Sequence, residues 1–297
     1  MRPERPVLRW HGGKWKLAPW IISHFPPHRV YVEPFGGAAS VLLRKPAAYA
    51  EIYNDLDDEV VNLFTVLRDR VQAARLVEAL RLTPFARREF ELSYQPAVES
   101  VERARRLIVL AFMGFGSNAH AMGGLESNGR CTGFRANSSR LGTTPAMDWR
   151  NYPDALEAIV ARFRGVVIEH RPAEQVMASH DAMTTLHYVD PPYMAGTRSP
   201  ANKYDLKYRM YRHELSDADH ASLLDTLRGL QGMVVVSGYA SDLYEDALKD
   251  WRRVEMRAHA DSARDRTEVL WLNPRCAAQL HARGSCIAQT HLFEACA

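Results

Sequence analysis

The spacing of apolar and polar residues along the chain predicts an α/β fold. Short apolar runs at 30–33 and 50–54 are typical of buried strands. A helical repeat over 14–24 precedes the first run, small residues at 36–40 open a helix after it, and a long amphipathic helix begins at Asp57. The order strand, helix, strand, helix is typical of a parallel sheet with crossover helices.

The second half of the chain returns to this pattern after an interruption. A helix is predicted over 152–163, and strands follow it at 166–169, 186–190, 233–237, 251–258 and 268–273. We expect the last two strands to be an antiparallel pair that closes the sheet. The segment after Pro274 has no clear period, and its structure is left open.

The interruption has a composition of its own. Residues 83–115 have a helical pattern, whereas 116–148 are crowded with Gly, Ser, Asn and Thr. A loop of this length inside a compact domain is usually functional or disordered. We therefore divide the chain into a core, an inserted segment and a tail, which are 1–82 with 149–274, 83–148 and 275–297.

Composition excludes several classes of protein. Hydrophobic residues make up 46% and charged residues 25% of the 297 residues, as in globular proteins with a sizeable core. No apolar run approaches the ~18 residues of a membrane span, and MRPERPVLRW lacks the apolar core of a signal peptide. We therefore expect a cytoplasmic protein without a membrane partner. The formal net charge of +3 permits binding to nucleic acid without requiring it.

The cysteines indicate neither a structural metal site nor disulfide bonds. They contain no CxxC pair, and a reducing compartment disfavours disulfides. We therefore expect free thiols and no metal. The four residues are Cys131, Cys276, Cys286 and Cys296.

The segment 188-YVDPPYMAG-196 places a carboxylate at the end of a predicted strand. Pro191 and Pro192 must end that strand, because proline has no backbone N–H group to donate. Residues before proline avoid helical geometry, so Asp190 and Tyr193 are held on a stiff, extended segment. Ligands of open α/β sheets bind at the carboxyl ends of the strands. The alternative is a proline turn with a surface acid.

A glycine-rich turn follows the first strand in 31-YVEPFGGAASVLL-43. Glycines there let a ligand approach the backbone, although the segment contains neither GxGxxG nor a P-loop. Asp55 ends the second strand about 20 residues later, where an acid can accept hydrogen bonds from ribose hydroxyls. It could instead cap the helix that begins near Asp57. A glycine turn and a ribose acid without a phosphate-binding lysine indicate a nucleoside cofactor that has no polyphosphate.

Four motifs occur in order along the chain: WHGGK at 10–14, EPFGGAAS at 33–40, NDLDD at 54–58 and DPPY at 190–193. In sequence and order they resemble the motifs of the Dam-type DNA adenine N6-methyltransferases, and the similarity extends over nearly the whole chain. The resemblance implies a Rossmann-like, mostly parallel seven-stranded methyltransferase sheet. It also implies that the inserted segment is a helical target-recognition subdomain.

The resemblance implies that S-adenosylmethionine is the cofactor and methyl donor. It also implies that the methyl group is transferred directly, without a metal. The cofactor-binding residues would be Trp10, Lys14, Glu33, Phe35, Gly36, Gly37, Asp55 and Asp190. Trp10 would pack against the cofactor, and Lys14 would lie near the polar end of the cofactor. The alternatives are that Trp10 is a core residue and that Lys14 lies in the exposed first turn of a helix. The family commonly has FxGxG, whereas this chain has Ala39 at the last glycine, which we expect to narrow the approach to the cofactor.

DPPY carries the catalytic residues in this interpretation. The adenine N6 amine is a poor nucleophile, because its lone pair is delocalised into the ring. The Asp190 carboxylate and the Pro191 carbonyl would accept hydrogen bonds from its two N–H groups. The two prolines would hold these acceptors rigid. Tyr193 would stack on the flipped base, which offsets part of the cost of extrusion. The catalytic residues are therefore Asp190, Pro191, Pro192 and Tyr193.

Double-stranded DNA is the partner that the resemblance implies, and we expect a monomer or a dimer on DNA. Loop residues can read base edges, whereas basic residues interleaved with tyrosines at 197–214 suit a mobile flap that contacts phosphate. Helical arginines such as Arg103 and Arg106 are expected to be solvated or to face phosphate. The DNA-binding candidates are Asn118, Arg130, Arg135 and Arg140 in the loop, and Lys203, Lys207 and Arg209 in the flap, with Arg264 and Arg266 between the last strands as a further contact or a solvated pair.

Other functions stay open at this point. Cytosine N4 methylation uses the same amine chemistry, and its motif often has Ser where this chain has Asp190. A catalytically silent DNA-binding or regulatory protein would not need Asp55, Asp190 or Tyr193. A methyltransferase that acts on another substrate is disfavoured by the basic insert.

Overall fold

The computed structural model describes residues 2–116, 133–136, 142–197, 211–259 and 265–282. Its strands are β1 (Val30–Glu33), β2 (Ala50–Asn54), β3 (Val166–Glu169), β4 (Thr185–Val189), β5 (Met233–Gly238), β6 (Arg252–His259) and β7 (Asp265–Leu272). The helices are α1 (Ala18–Ser23), α2 (Ser40–Arg44), α3 (Asp58–Arg68), α4 (Arg70–Leu82), α5 (Arg87–Leu92), α6 (Ser100–Met113), α7 (Pro145–Arg150), α8 (Tyr152–Phe163), α9 (Ala173–Ser179), α10 (Asp217–Gly229), α11 (Asp242–Ala247) and α12 (274–282).

The described strands form one seven-stranded sheet in the order β3-β2-β1-β4-β5-β7-β6. The strands from β3 to β5 in this order pair in parallel, and β7 is antiparallel to both of its neighbours. The sheet confirms the predicted α/β class and the predicted antiparallel closing pair. Every residue of β4 and β5 is buried, as expected for parallel strands whose two faces are both covered by helices.

The strand order creates a crevice between β1 and β4. The chain runs from β1 outward to β2 and β3, then returns to the other side of β1 with β4 and β5. Ligands of open α/β sheets bind at such a reversal, outside the carboxyl ends of the strands. Glu33 is the last residue of β1, and Asp190 directly follows β4. The two acids therefore lie at the crevice.

The first predicted helix is shorter than its sequence pattern indicated. Helix α1 begins at Ala18, whereas the helical repeat begins at Lys14. Pro19 occupies the first turn, where proline is favoured because the first N–H groups of a helix have no partner within the helix. The Ala18 N–H donates to the Lys14 carbonyl, so a single turn connects the glycines at 12 and 13 to the helix. This turn leaves the Lys14 side chain available to the sheet.

The two ends of the inserted segment meet. The Trp149 indole N–H donates to the Thr83 carbonyl at 2.8 Å, and the Trp149 side chain is buried. Helix α6, between them in sequence, packs against α3, α4, α5 and α7. The described part of the insert is therefore joined to the helical layer of the core.

Arginines on α6 are engaged in ion pairs. Arg103 contacts Asp58 and Glu59 of α3, and Arg106 lies 2.7 Å from Glu102. The expectation that both residues are solvated is wrong, because carboxylates one turn away or on the neighbouring helix pair with them. That they face phosphate stays a prediction.

The tail begins as a helix that docks on the core. Pro274 opens α12, and the Asn273 side chain accepts from the Cys276 N–H at 2.9 Å, which caps the helix. Cys276 is a free, fully buried thiol, as predicted; the other three cysteines lie outside the described residues. Within the described parts of the chain, no helix is long and apolar enough to cross a membrane.

A buried ion network fixes the amino end of β2. The Glu51 carboxylate contacts Lys45 at 2.5 Å and Arg162 at 2.6 Å, and all three side chains are at least nine-tenths buried. Burial alone would raise the pKa of Glu51, but the hydrogen bonds and charges of Arg162 and Lys45 lower it overall. The network therefore ties β2 to α8.

The substitution Glu51→Gln tests this network. It should lower the free energy of unfolding by about 3–5 kcal/mol at pH 7, because two buried cations lose their partner. A depressed carboxyl pKa contributes stability above the unfolded-state value of about 4.3, and this stability is lost as the pH falls through the folded-state value. The difference between wild type and variant in urea denaturation should therefore shrink below about pH 4.

The matched control is Asp154→Asn, which breaks the exposed pair with Arg81. It should change stability by less than about 1 kcal/mol. Equal losses in the two variants would show that the buried network contributes no more than a surface ion pair.

Candidate active site

A pocket opens at the reversal between β1 and β4. Segments from the amino terminus, from the ends of β1 and β2, and from the chain after β4 form its wall. The predicted cofactor and catalytic residues in this wall are Trp10, Lys14, Glu33, Phe35, Gly36, Gly37, Asp55, Asp190, Pro191 and Pro192. The structure thus brings together residues that lie up to 182 positions apart in the sequence (from 10 to 192).

Two glycines in the turn after β1 have no room for a side chain. Gly37 has a φ of +46°, and a Cβ there would lie 2.7 Å from Trp10 Nε1. A Cβ on Gly36 would overlap the Tyr53 ring, whose hydroxyl donates to the Gly37 carbonyl at 2.7 Å. The turn is therefore packed between Trp10 and Tyr53, and it presents its backbone to the pocket.

Ala39 lies away from the pocket. Its methyl group is fully buried in the hydrophobic core and is absent from the pocket wall. The expectation that Ala39 narrows the approach to a cofactor is therefore wrong. Ala39 instead has a left-handed backbone conformation, with a φ of +52°. This conformation costs any residue that has a Cβ atom roughly 1–2 kcal/mol.

Asp55 fastens the glycine turn to β2. Its two carboxylate oxygens accept from the Gly37 N–H at 2.7 Å and the Asp57 N–H at 2.8 Å. The cap of α3 is Asp57, which accepts from the Glu59 N–H, so the alternative that Asp55 is the helix cap is wrong. Burial raises the pKa of Asp55 to about 6, although both backbone N–H groups favour the charged form.

Asp190 is held by two donors from other segments. Its Oδ1 atom lies 2.9 Å from Lys14 Nζ and accepts from the Ser237 hydroxyl at 2.8 Å. Among the described residues, no donor contacts Oδ2. The exposed-turn alternative for Lys14 is wrong, because the residue is only 6% exposed. Burial alone would lower the pKa of Lys14, but the charges of Asp190 and Glu268 outweigh it and raise the pKa.

Tyr193 lies beside this pair and is half-buried. Lys14 Nζ is 4.6 Å from its ring centroid, and the Tyr239 ring packs edge-on at 4.7 Å. The Tyr193 hydroxyl donates to the carboxylate of Glu268, a buried residue of β7. The ring of the DPPY tyrosine is therefore oriented by contacts on its face and at its hydroxyl.

Glu33 supplies a second buried acid at the crevice. It is 2% exposed, and its Oε2 atom accepts from the Tyr31 hydroxyl at 2.6 Å and the Leu42 N–H at 3.0 Å. Burial raises the pKa of Glu33 to about 8, and the nearby charge of Asp190 adds to the shift. A cation in the pocket would therefore favour loss of the Glu33 proton.

The end of the predicted flap and the residue after it return to the pocket. Tyr211, Arg212, His213 and Leu215 are in its wall. Arg212 Nη1 lies 3.1 Å from Asp57 Oδ1, and the Tyr211 and His11 rings pack edge to face at 5.4 Å. Residues 211–214 of this stretch thus lie against Asp57 and His11 of the pocket wall, a place that the sequence pattern did not predict.

Most of the predicted DNA contacts fall outside the described residues. Asn118, Arg130, Arg140, Lys203, Lys207, Arg209 and Arg264 are all outside them, and for Arg266 only the backbone position on β7 is described. Arg135 is half-buried, and its N–H donates to the Met113 carbonyl at 2.7 Å. Its backbone therefore joins the end of α6.

Sequence reasoning missed Ser237 and Glu268. Ser237 is a buried polar residue in the otherwise apolar strand MVVVSG, and Glu268 begins the buried run EVLWL in the second half of β7. A polar residue inside a fully buried run is a signal in itself, because burial without a partner costs free energy. That signal would have found Ser237, whereas Glu268 stands at the start of its run after three polar residues; in neither case does the sequence name the group that the residue contacts.

Comparison with known proteins agrees with the resemblance. The profile of the D12 class N6 adenine-specific DNA methyltransferases matches residues 10–261. The DNA adenine methylase of Serratia marcescens is 30% identical over 129 residues, which are 42% of this chain and 45% of that protein. The DNA adenine methylase of Escherichia coli (strain K12) is 37% identical over 79 residues, 25% and 28% of the two chains.

These pairwise matches span less than half of each relative's length. The family profile, in contrast, covers most of the chain and includes all four motifs. The chain belongs to the D12 class N6 adenine-specific DNA methyltransferases.

Proposed function

We propose that this protein transfers a methyl group from S-adenosylmethionine to the N6 amine of a flipped adenine in double-stranded DNA. The observation that carries the proposal is Asp190, held at the end of β4 by Lys14 and Ser237, with no donor from the described residues on its second carboxylate oxygen. Membership in an adenine-specific family supports the choice of base.

The pocket suits a cationic nucleoside cofactor. Its wall carries the acids Glu33, Asp55, Asp57 and Asp190. Its described permanent cations, Lys14 and Arg212, are paired with two of these acids. S-adenosylmethionine supplies a methyl group on a positively charged sulfonium, and the turn at Gly36 and Gly37 leaves backbone open to it.

The residues of DPPY would act on the amine. Asp190 Oδ2 and the Pro191 carbonyl accept hydrogen bonds from its two N–H groups, which returns electron density to nitrogen. The prolines keep these acceptors fixed, so no reorganisation is needed when the amine enters. Tyr193 offers an aromatic face to the extruded base, worth about 1–3 kcal/mol of stacking.

Cytosine N4 methylation is the second candidate, because it needs the same pair of acceptors. The decisive experiment incubates the protein with duplex DNA and S-adenosylmethionine labelled in the methyl group, then digests the DNA to nucleosides. Label in N6-methyladenine supports the proposal, and label in N4-methylcytosine replaces it with the alternative. Absence of label in both, with cofactor bound, favours a catalytically silent DNA-binding protein.

DNA would be held by two segments with different tasks. We propose that Asn118, Arg130, Arg135 and Arg140 read base edges, because arginine and asparagine pair with guanine and adenine in the major groove. Lys203, Lys207 and Arg209 would contact phosphate from beside DPPY. The form that binds would be a monomer, with a dimer on DNA as the alternative.

The first test of the mechanism is Asp190→Asn. It should reduce single-turnover methyl transfer by at least about 10²–10³-fold, because the amide offers a weaker acceptor at the point where charge develops. The affinity for S-adenosylmethionine, measured by calorimetry, should change by less than about 1 kcal/mol. Asp246→Asn, on an exposed position of α11, is the matched control. Transfer at a near wild-type rate would remove Asp190 from its role.

A second test concerns proton release on binding. A cationic ligand lowers the pKa of nearby acids, so the affinity for S-adenosylmethionine should rise as the pH increases from about 6 to about 8, the pKa values of Asp55 and Glu33. The slope should not exceed about tenfold per pH unit for each proton released. Calorimetry in buffers of different ionisation enthalpy counts these protons.

S-adenosylhomocysteine, which lacks the sulfonium charge, is the control ligand and should release fewer protons. Glu33→Gln should remove the release near the upper end of this range. Equal release with both ligands would contradict the proposed effect of charge.

A third test separates base readout from phosphate contact. Arg135→Ala should cost about 1–3 kcal/mol and relax the preference at one base position. Lys207→Ala should weaken binding to all sequences alike and make the salt dependence shallower by about one charge. Binding to cognate and mismatched duplexes over a salt series measures both. Identical profiles for the two variants would refute the division of tasks.

A further inference from the structure

A buried acid from the last strand of the sheet joins the side chains around Asp190. Glu268 of β7 is 4% exposed, and its carboxylate accepts from the Tyr193 hydroxyl. The same oxygen, Oε1, lies 3.7 Å from Lys14 Nζ. The backbone of β7 already pairs with β5 and β6, so neither contact is needed to place the strand.

Lys14, Tyr193 and Glu268 contact one another, and Asp190 joins this group through Lys14. Lys14 touches Asp190 at 2.9 Å and lies 4.6 Å from the centroid of the Tyr193 ring, while Glu268 contacts both Lys14 and Tyr193. One ammonium group is thus shared between two carboxylates. Burying an acid costs free energy unless the acid is paired and hydrogen-bonded. The partners of Glu268, Lys14 and Tyr193, both belong to the candidate active site.

We propose that Glu268 is a positioning residue for methyl transfer, acting through Tyr193 and Lys14. This inference rests on the proposed function. The hydrogen bond to the hydroxyl fixes the tilt of the ring on which the flipped base would stack. The second carboxylate draws part of the Lys14 charge away from Asp190, so that Asp190 keeps more of its capacity to accept the amine N–H groups.

The two effects can be separated by substitution. Glu268→Gln keeps the size of the side chain and an oxygen for the tyrosine hydroxyl, but it removes the charge. Tyr193→Phe removes the hydroxyl and keeps the charge of Glu268. Glu255→Gln makes the same chemical change at an exposed residue of the neighbouring strand, β6, and is the matched control.

The experiment uses the whole protein and a duplex that contains the target sequence, identified by sequencing modified DNA from expressing cells. Three quantities are measured for each variant: the single-turnover rate at saturating S-adenosylmethionine, the cofactor affinity, and the fluorescence of 2-aminopurine at the target position. The fluorescence reports extrusion of the base and its stacking on an aromatic ring. The thermal unfolding midpoint is recorded alongside.

We expect Glu268→Gln to lower the transfer rate at least about tenfold, with cofactor affinity within about threefold of wild type. Tyr193→Phe should alter the 2-aminopurine signal and lower the rate. The double variant should lose less than the product of the two single losses, because the neutral amide of Glu268→Gln also weakens the hydrogen bond that Tyr193→Phe removes. The control variant should match wild type in all three measurements.

A rate within about twofold of wild type for Glu268→Gln would overturn the inference. A purely structural role for Glu268 would lower the cofactor affinity in proportion to the unfolding midpoint and leave the rate at saturating cofactor unchanged. This result for Glu268→Gln would also overturn the inference. If Glu268→Gln does not fold, Tyr193→Phe decides: an unchanged rate and fluorescence signal refutes the positioning role. Failure of the proposed function is a separate result, in which wild type itself forms no N6-methyladenine.

Discussion

The ion pair between Lys14 and Asp190 is the contact on which the rest of the site depends. It joins a segment that precedes the first strand to the end of β4, which the sheet order has placed beside β1. Removing one partner of a buried pair costs about 3–5 kcal/mol, because the other charge is left without compensation. Ser237 and Glu268 add contacts from β5 and β7. Four distant parts of the chain therefore converge on this ion pair.

The glycine turn is organised in a comparable way around a second acid. Asp55 binds the Gly37 and Asp57 N–H groups and so fixes the turn after β1 to the start of α3. Its oxygens are already occupied in this arrangement, so a ribose hydroxyl would share an acceptor that also holds the backbone. Loss of this carboxylate would therefore disturb the shape of the pocket and the binding of a cofactor together.

Much of this fold could be predicted from the sequence, because local signals agreed with the tertiary arrangement. The apolar runs located the strands, Asp57 marked the start of α3, and the prolines marked the end of β4. The predictions were wrong where a distant contact decided the outcome. The exposed-turn alternative for Lys14 failed because Asp190 lies beside it, and Arg103 looked solvated until Asp58 and Glu59 of α3 were placed. The pair of Arg106 with Glu102, in contrast, has a four-residue spacing that the sequence itself contains. Glu268 carried a signal of importance in its burial, but its partners are set by strand order, which no local pattern contains.

The contact between Thr83 and Trp149 has a consequence for how this protein can diverge. The chain leaves the core and returns to it at neighbouring points, bridged by a 2.8 Å hydrogen bond. Because α6 packs on α3 and α4, the part of the insert beyond this helix is what can lengthen, shorten or be exchanged while the register of the sheet and the side chains around Asp190 stay as they are. Natural variation, or a deliberate graft between relatives, can therefore replace this part of the insert as a unit.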